Sequence, residues 1–491
     1  MTKAEAIRKL KGKILAKRPI LDELLKRHAN VSVAEYNRTL LPSTSPIDAV
    51  RKHDFINIFS AEIGKHFSSE VVNSVVRQLE SSYMVSTAEH HGPLMHPFFV
   101  HSNLLAAHNG QENIIVLGVG NVSLNNSSYP RGLIFHSKDG TKHHLPFFPS
   151  PERMFSVFGQ RAFGQNDILK LQNLIQNKVR KGELSNALAN SLREFINNIC
   201  NRSEILNLPD YNHQIVKLNS LLWQDFLPLP RAKPPRLLTL QLEDIVLQLL
   251  QKHHLFSNTD IYELIFNTNM HRLLIEHADG IPGNFSLADK KGTFLFWYLP
   301  SKNNRRQQMW LNGRWLQSAE GFKLKLEPSA LEKAIELGKL IPGTFLSLLL
   351  LSEYYGVKCL GGFSQGTYLT KTHEVYNIMR KRPAKAFDQS HSTGLRSDFV
   401  LAYFKDTLGR LQPATGMDLA LHRKAGSWQA FLETANELTL EQAMAPLFPE
   451  LYLILYSPSE RQDELTSLTI YDIIEHYGFA EKIKPTISID G

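Results

Sequence analysis

The chain has 491 residues, 43% hydrophobic and 21% charged, with a formal net charge of +8. At roughly one domain per 150 residues this suffices for two to four domains or one large core, and it excludes a mainly disordered chain. Its two cysteines, Cys200 and Cys359, exclude a disulfide framework and a thiolate zinc site.

The basic balance favours an anionic small molecule as partner. The charge is scattered, and its densest groups (Arg8 to Arg27, Arg305-Arg306, Arg380-Lys381-Arg382) lack the aromatic interleaving of a base-stacking groove, which disfavours nucleic acid. No uninterrupted apolar region of a secretory signal opens the chain. The longest apolar run, Phe345 to Leu351 through Ser347, falls far short of the ~20 residues that span a bilayer. The expected setting is cytoplasmic.

Residues 3–28 read as one basic amphipathic helix, with Ile7, Leu10 and Ile14 at helical spacing. Asp22 and Glu23 interrupt its basic face, so it is expected to pack on its own protein and not on a membrane. Pro42, Ser43, Ser45 and Pro46 mark a connection, and Asp54 to Glu80 reads as a second long helix. Residues 1–82 thus form an N-terminal helical segment.

Residues 83–150 read as the first part of an α/β core. Met84 to Ser86 is a short strand, Pro97 to Ala107 a helix, and Asn113 to Gly118 a buried strand. Leu133–His136 and His144–Phe148 suit a hairpin around Asp139-Gly140. Residues 151–289 read as a largely helical insertion. Its helices are Asn166 to Cys200, broken near Gly182, residues 213–226, and most of Leu237 to His277. Four prolines in Pro228 to Pro235 mark a break inside it.

Residues 290–491 return to the core and end in a mixed region. The elements expected are a strand over Thr293–Tyr298, a hairpin around Asn312-Gly313, and a helix over Ser329–Leu340 with Ser329 and Glu332 as capping box. A buried helix over Thr344–Tyr355 closes at Gly356. A strand over Val357–Leu360 leads through a glycine turn into a helix over Thr367–Arg382. Arg380 to Arg396 reads as a solvated helix end and loop, and Leu451 to Tyr456 as a strand. The fold class expected is α/β, a Rossmann-like core with a helical insertion.

Three stretches carry candidate chemistry. The first is Ser86 to Pro97, with Glu89, His90, His91 and His96 between two apolar runs. A helix beginning at Gly92-Pro93 would aim its free N–H groups and dipole at an anion, with imidazoles beside it. His90, His91 and Glu89 are the candidate catalytic residues, and Glu89 is expected to orient a ring. The same histidines, with His96, are the candidate ligands of a metal. No i, i+4 pair is present, and His96 and His101, five residues apart, are separated by about 140° around a helix. The second is the polar run after the Asn113–Gly118 strand, where Asn121, Asn125, Asn126, Ser128, Tyr129 and Arg131 are candidate ligand contacts. Gly118-Val119-Gly120 lacks the rest of a dinucleotide fingerprint. The third is Gly361, Gly362, Ser364, Gln365 and Thr367, whose backbone offers N–H groups to an anion without being a phosphate-binding P-loop. His253-His254 and Arg305-Arg306 read as surface. No G-x-S-x-G, H-E-x-x-H, C-x-x-C or kinase signature is present.

Gly92-Pro93-Leu94 after a first strand and Gly361-Gly362 to Gly366, Tyr368 and Leu369 after a late one resemble turns of the cysteine-adding enzymes of bacillithiol synthesis. The resemblance covers a small part of the chain and implies a Rossmann-type core with a helical insertion. The glutamine pair of that family is His90-His91 here, and no residue role is carried over.

In α/β sheets ligands bind beyond the carboxyl ends of strands, so the three stretches are expected to converge. The function expected is a ligase- or transferase-type enzyme acting on a phosphorylated or nucleotide-activated small molecule. A nucleotide is then the cofactor looked for. One alternative is a hydrolase or oxidase with a histidine-ligated divalent metal, and another a non-enzymatic scaffold using the N-terminal helix.

Overall fold

A computed structural model describes residues 1–40, 48–225, 227–229, 234–281, 284–301, 303–381 and 394–489. The expected connection at Pro42 to Pro46, the middle of the proline-rich stretch, and the loop residues Arg382 to Thr393 lie outside the described residues. In chain order the strands are β1 (Met84–Ser86), β2 (Asn113–Gly118), β3 (Gly132–His136), β4 (Lys142–Pro146), β5 (Arg236–Gln241), β6 (Phe296–Tyr298) and β7 (Gln307–Asn312). There follow β8 (Trp315–Ser318), β9 (Lys323–Lys325), β10 (Leu340–Pro342), β11 (Lys358–Leu360), β12 (Tyr403–Lys405) and β13 (Leu411–Pro413).

The protein is a mixed α/β structure around a parallel four-stranded sheet of order β11-β1-β2-β5. β2 shows why this sheet forms at the centre. Every residue of Asn-Ile-Ile-Val-Leu-Gly is buried, as a strand covered on both faces requires. Side chains alternate across a strand, and two cores result. Ile114 and Val116 join a cluster with helix Pro97–Ala107 and the C-terminal helices, while Ile115 and Leu117 join another with helices Ala49–Gly64 and Leu242–His253. The chain runs from β1 through helix Pro97–Ala107 to β2, then through helices Gln165–Arg180, Asn186–Phe195 and Tyr211–Asp225 to β5. It then returns past β1 to place β11 on the far side. β1 and β11 are therefore the neighbours between which the order reverses.

β5 stands where a helix was expected. Leu-Leu-Thr-Leu has no period that separates a buried strand from a buried helix, and leucine favours helices. Pairing with β2 over six residue pairs decides it. Trp223 Nε1 donates to the Pro235 carbonyl at 2.7 Å, tying helix Tyr211–Asp225 to the entry of β5.

The local turn chemistry is realised as read. β3 and β4 pair around Gly140 (φ +85°), and β7 and β8 around Gly313 (φ +58°), inside an antiparallel sheet of order β10-β6-β7-β8-β9. Gly356 (φ +69°) closes the helical stretch from Thr344 to Tyr354. Cys200 and Cys359 are buried thiols, each pushed up to about 12 by burial.

Several helix bounds differ from expectation. Residues 3–28 form two helices, Lys3–Lys17 and Pro19–Arg27. A residue before proline is driven out of the helical region, and Arg18 has φ −137° and ψ 66°. The 54–80 stretch is likewise two helices, Ala49–Gly64 and Ser69–Ser81. Helix Pro328–Glu336 starts with proline in its first turn and Glu327 as N-cap, so no Ser329–Glu332 box forms. Leu451–Tyr456 is not a strand but the end of helix Phe448–Leu455, against which helix Lys3–Lys17 packs. Tyr456 donates its hydroxyl to the Lys13 carbonyl at 2.8 Å, and Lys17 lies over its ring at 4.9 Å. Among the described residues no helix is long and apolar enough to cross a membrane.

The β3–β4 hairpin approaches so closely at Gly132 that a Cβ there would fall on the Leu145 carbonyl oxygen and lie 2.8 Å from Pro146 Cα. Gly132→Ala is expected to destabilise the fold by about 1–3 kcal/mol, the usual scale of overpacking. Equilibrium guanidinium unfolding reads this directly, and an unchanged midpoint would refute the close approach.

Candidate functional site

The carboxyl ends of β1 and β11 open into a cleft of about 820 Å³, within the usual size of a small-molecule site. All three candidate stretches reach it. His90, His96, Asn121, Asn126, Ser128, Gly362, Ser364 and Gln365 line it. The two turns are tied together: Thr87 N–H donates to the Leu360 carbonyl at 2.8 Å, and the Gln365 amide donates to the Thr87 hydroxyl.

Residues 89–91 extend the strand pairing, so their side chains alternate. Val119 N–H donates to Glu89 O at 2.7 Å, His91 N–H donates to Val119 O at 2.9 Å, and His90 bridges Val119. His90 therefore faces the cleft, whereas Glu89 and His91 do not line it. The fully buried His91 ring sits 3.1 Å from where a Cβ on Gly118 would stand, and burial lowers it to about 4. Glu89 orients no ring. Its carboxylate accepts from Asn103 Nδ2 at 2.6 Å, and burial raises it to about 7.

His90 is oriented by Ser128. Its Nδ1 lies 2.8 Å from Ser128 Oγ, and that hydroxyl donates to Asn126 Oδ1 at 3.1 Å. With the hydroxyl proton so engaged, Nδ1–H is the donor to Ser128 and Nε2 keeps its lone pair. Burial, then the nearby Arg306 charge, lower His90 to about 4, so the ring is neutral at physiological pH. The expected helix start at Gly92-Pro93 lies a turn too early. The helix begins at Pro97 with His96 as N-cap. His96 packs on Phe98 and Phe99, its Nδ1 has no hydrogen-bond partner, and burial, then Lys142, hold it well below the usual histidine value.

In the polar run, Asn121 N–H donates to Glu243 Oε1 at 2.9 Å and its amide to the Pro342 carbonyl at 3.3 Å. Asn125 is exposed and outside the cleft. Tyr129 (φ 56°) packs against the tilted His144 ring at 4.4 Å, and Arg131 lies over the Tyr129 ring at 5.1 Å; neither reaches the cleft.

The glycine turn is not a bare anion cradle. Phe363 N–H is taken by Asp398 Oδ2 at 2.6 Å, and Asp398, at φ 73°, lines the cleft. Burial raises the Asp398 carboxyl to about 6 against the pull of that N–H. Gly361 and Thr367 lie outside the cleft wall. A Cβ on Gly361 would strike the Gln365 side chain, so this glycine serves packing. The following helix is Gln365–Met379, two residues earlier than expected at its start.

Sequence reasoning missed two arginines in the wall. Arg306, read as surface, lies over the Trp297 ring at 4.3 Å and makes no ion pair among the described residues. Its Nη1 has no hydrogen-bond partner. Burial lowers it to about 10, against the opposing Glu243 charge. Arg18, at the break between the first two helices, is 6% exposed. Its Nη1 donates to Lys17 O at 2.9 Å, its Nη2 donates to Ser364 Oγ at 3.3 Å, and its Nε has no partner. The signal for Arg18 was Pro19; for Arg306 nothing in the local sequence separates it from Arg305. His254, also read as surface, is fully buried between Thr259 and Tyr355.

Among the described residues no group of three or more His, Cys, Asp or Glu side chains is placed to hold a metal ion. The alternation that separates His90 from His91 is the physical reason the histidine-rich turn does not act as one donor set. Compared with protein-family models, with curated proteins and with solved structures, the chain matches none.

The His90 ring titrates at about 4 when folded against an ordinary 6.5. A lowered histidine value stabilises the fold above 6.5, and that contribution is lost as pH falls from 6.5 towards 4. Histidine NMR of the ligand-free protein is expected to show His90 neutral, with the proton on Nδ1, from pH 5 to 8. A His90 midpoint near 6.5 would contradict the desolvated, Ser128-oriented ring.

Proposed function

We propose that the cleft binds a phosphorylated or nucleotide-activated small molecule and that the protein is a ligase- or transferase-type enzyme on a Rossmann-like core. What supports the core assignment is the parallel order β11-β1-β2-β5 with its reversal at the cleft. What carries the functional reading is one juxtaposition. A neutral imidazole at the cleft wall, held by Ser128, sits within the field of a guanidinium that has an unpartnered N–H.

In this reading Arg306 holds an oxyanion of the ligand, the role its planar fork suits best. His90 Nε2 takes the proton from the attacking hydroxyl or amine of the acceptor. The free ring is a weak base because burial and Arg306 both oppose its protonation. An anion bound beside Arg306 offsets that cation and raises the ring towards neutral pH, which suits a general base. Base strength thus follows ligand binding.

A thermal-shift screen of nucleotides, phosphosugars, amino acids and divalent metals is expected to find an anionic hit. Arg306→Gln should weaken that hit at least ~10-fold, about 1.4 kcal/mol. His90→Ala should keep most of the affinity and lose turnover by ~10²–10⁴, the range of general-base contributions. A hit that neither substitution affects would refute the assignment.

A further inference from the structure

Arg18 belongs to the N-terminal helical segment, yet its guanidinium lines the cleft. Its placement follows from sequence: Pro19 forces the preceding residue out of the helix, and helix Lys3–Lys17 is fastened to helix Phe448–Leu455 next to the cleft. Burying a cation without a counter-ion is strongly unfavourable. Arg18 is 6% exposed and has no carboxylate within ion-pair distance among the described residues. Its partners are a carbonyl oxygen, a hydroxyl oxygen and the Phe363 ring at 6.0 Å, all uncharged, and Nε has none.

The hydroxyl it reaches is at the start of a helix. Ser364 is the N-cap of Gln365–Met379, a helix of 15 residues, and its side chain makes no capping bond. The N–H groups of Gln365 and Thr367 in its first turn donate to the Gly362 and Ser364 carbonyls at 2.9 and 3.2 Å, so what this end adds beside Arg18 is the helix dipole and the Ser364 hydroxyl, both favouring negative charge at the same end of the cleft. The Asp398 carboxylate, which reaches this turn from another segment, is engaged by Phe363 N–H and is not paired with Arg18.

We propose that Arg18 and the Ser364 end of helix Gln365–Met379 form a second oxyanion subsite, for a carboxylate or phosphate group of the ligand. The N-terminal segment is then part of the binding site, and the ligand carries an anionic group here in addition to the one at Arg306. The inference rests on the cleft being the ligand site.

The probes are inorganic phosphate and malonate, titrated calorimetrically into the full-length chain at low ionic strength. Wild type, Arg18→Gln, Arg18→Lys, Ser364→Ala and Arg306→Gln are compared, with unliganded melting curves as a check of folding. The wild type is expected to bind at least one probe. Arg18→Gln should weaken that probe at least ~10-fold, and Arg18→Lys, which keeps the charge but not the fork, should fall between. The preferred probe tells phosphate from carboxylate. Wild-type affinity in Arg18→Gln with loss in Arg306→Gln overturns the subsite and leaves the cleft reading standing; no change in either overturns both. Failure of the wild type to bind either probe overturns the subsite. Should Arg18→Gln not fold, Ser364→Ala decides: at least threefold weaker binding supports the subsite, and unchanged binding overturns it.

Discussion

The site depends on the parallel pairing of β1 with β11. Each strand has three residues, and the side-chain bond that extends the pairing, Gln365 to Thr87, joins positions 278 apart in sequence. So few ladder bonds do not by themselves offset the entropy of closing so long a loop, although that cost grows only logarithmically with length. The apolar cores on the two faces supply the rest. Val85, Cys359 and Leu360 are all buried, and β2 contributes alternate residues to both cores. The cleft is thus a by-product of core burial: two turns meet because the strands before them are pressed together from both sides. This also explains why the wall is built from distant parts of the chain.

What could be read from sequence is what local chemistry decides. Asp139-Gly140 and Asn312-Gly313 form the hairpins expected of them, and the buried β2 run behaves as a central strand. What could not be read is decided by tertiary pairing. β5 is a leucine-rich run that only a neighbouring strand makes extended. Helix Phe448–Leu455 is apolar enough to pass for a strand, and its place between helix Lys3–Lys17 and the cleft fixes it as a helix.

The candidate residues divide in the same way. The stretches that reach the cleft follow from strand ends, but the side chains that enter it depend on parity. His90 and His91 are equivalent as composition, and the extended backbone beside Val119 turns one ring into the cleft and the other behind it. Arg131 lay in the polar run, yet it is spent on the Tyr129 ring. Arg306 is in the wall although its neighbour Arg305 is exposed. Exposure of this kind is set by packing from both sides and has no one-residue signature.

The proposed preference of the cleft for an anion does not rest on the overall charge of +8. It comes from burial acting unequally on different groups. Desolvation opposes every charge, lowering His90 and raising Asp398 to about 6 in the wall, and raising Glu89 and Glu243 outside it to about 7 each. Those groups can respond by shedding or keeping a proton near physiological pH. Arginine cannot, because even at about 10 Arg306 remains protonated. Near neutral pH the imidazoles are uncharged and burial opposes ionisation of Asp398 and Glu450, so the guanidiniums are the persistent charges of the buried part of the wall, while Lys17, Asp289 and Lys291 stand exposed at its rim. Burial that weakens the acids and imidazoles of the wall but leaves its arginines charged is therefore what supports an anionic ligand in the proposed reading.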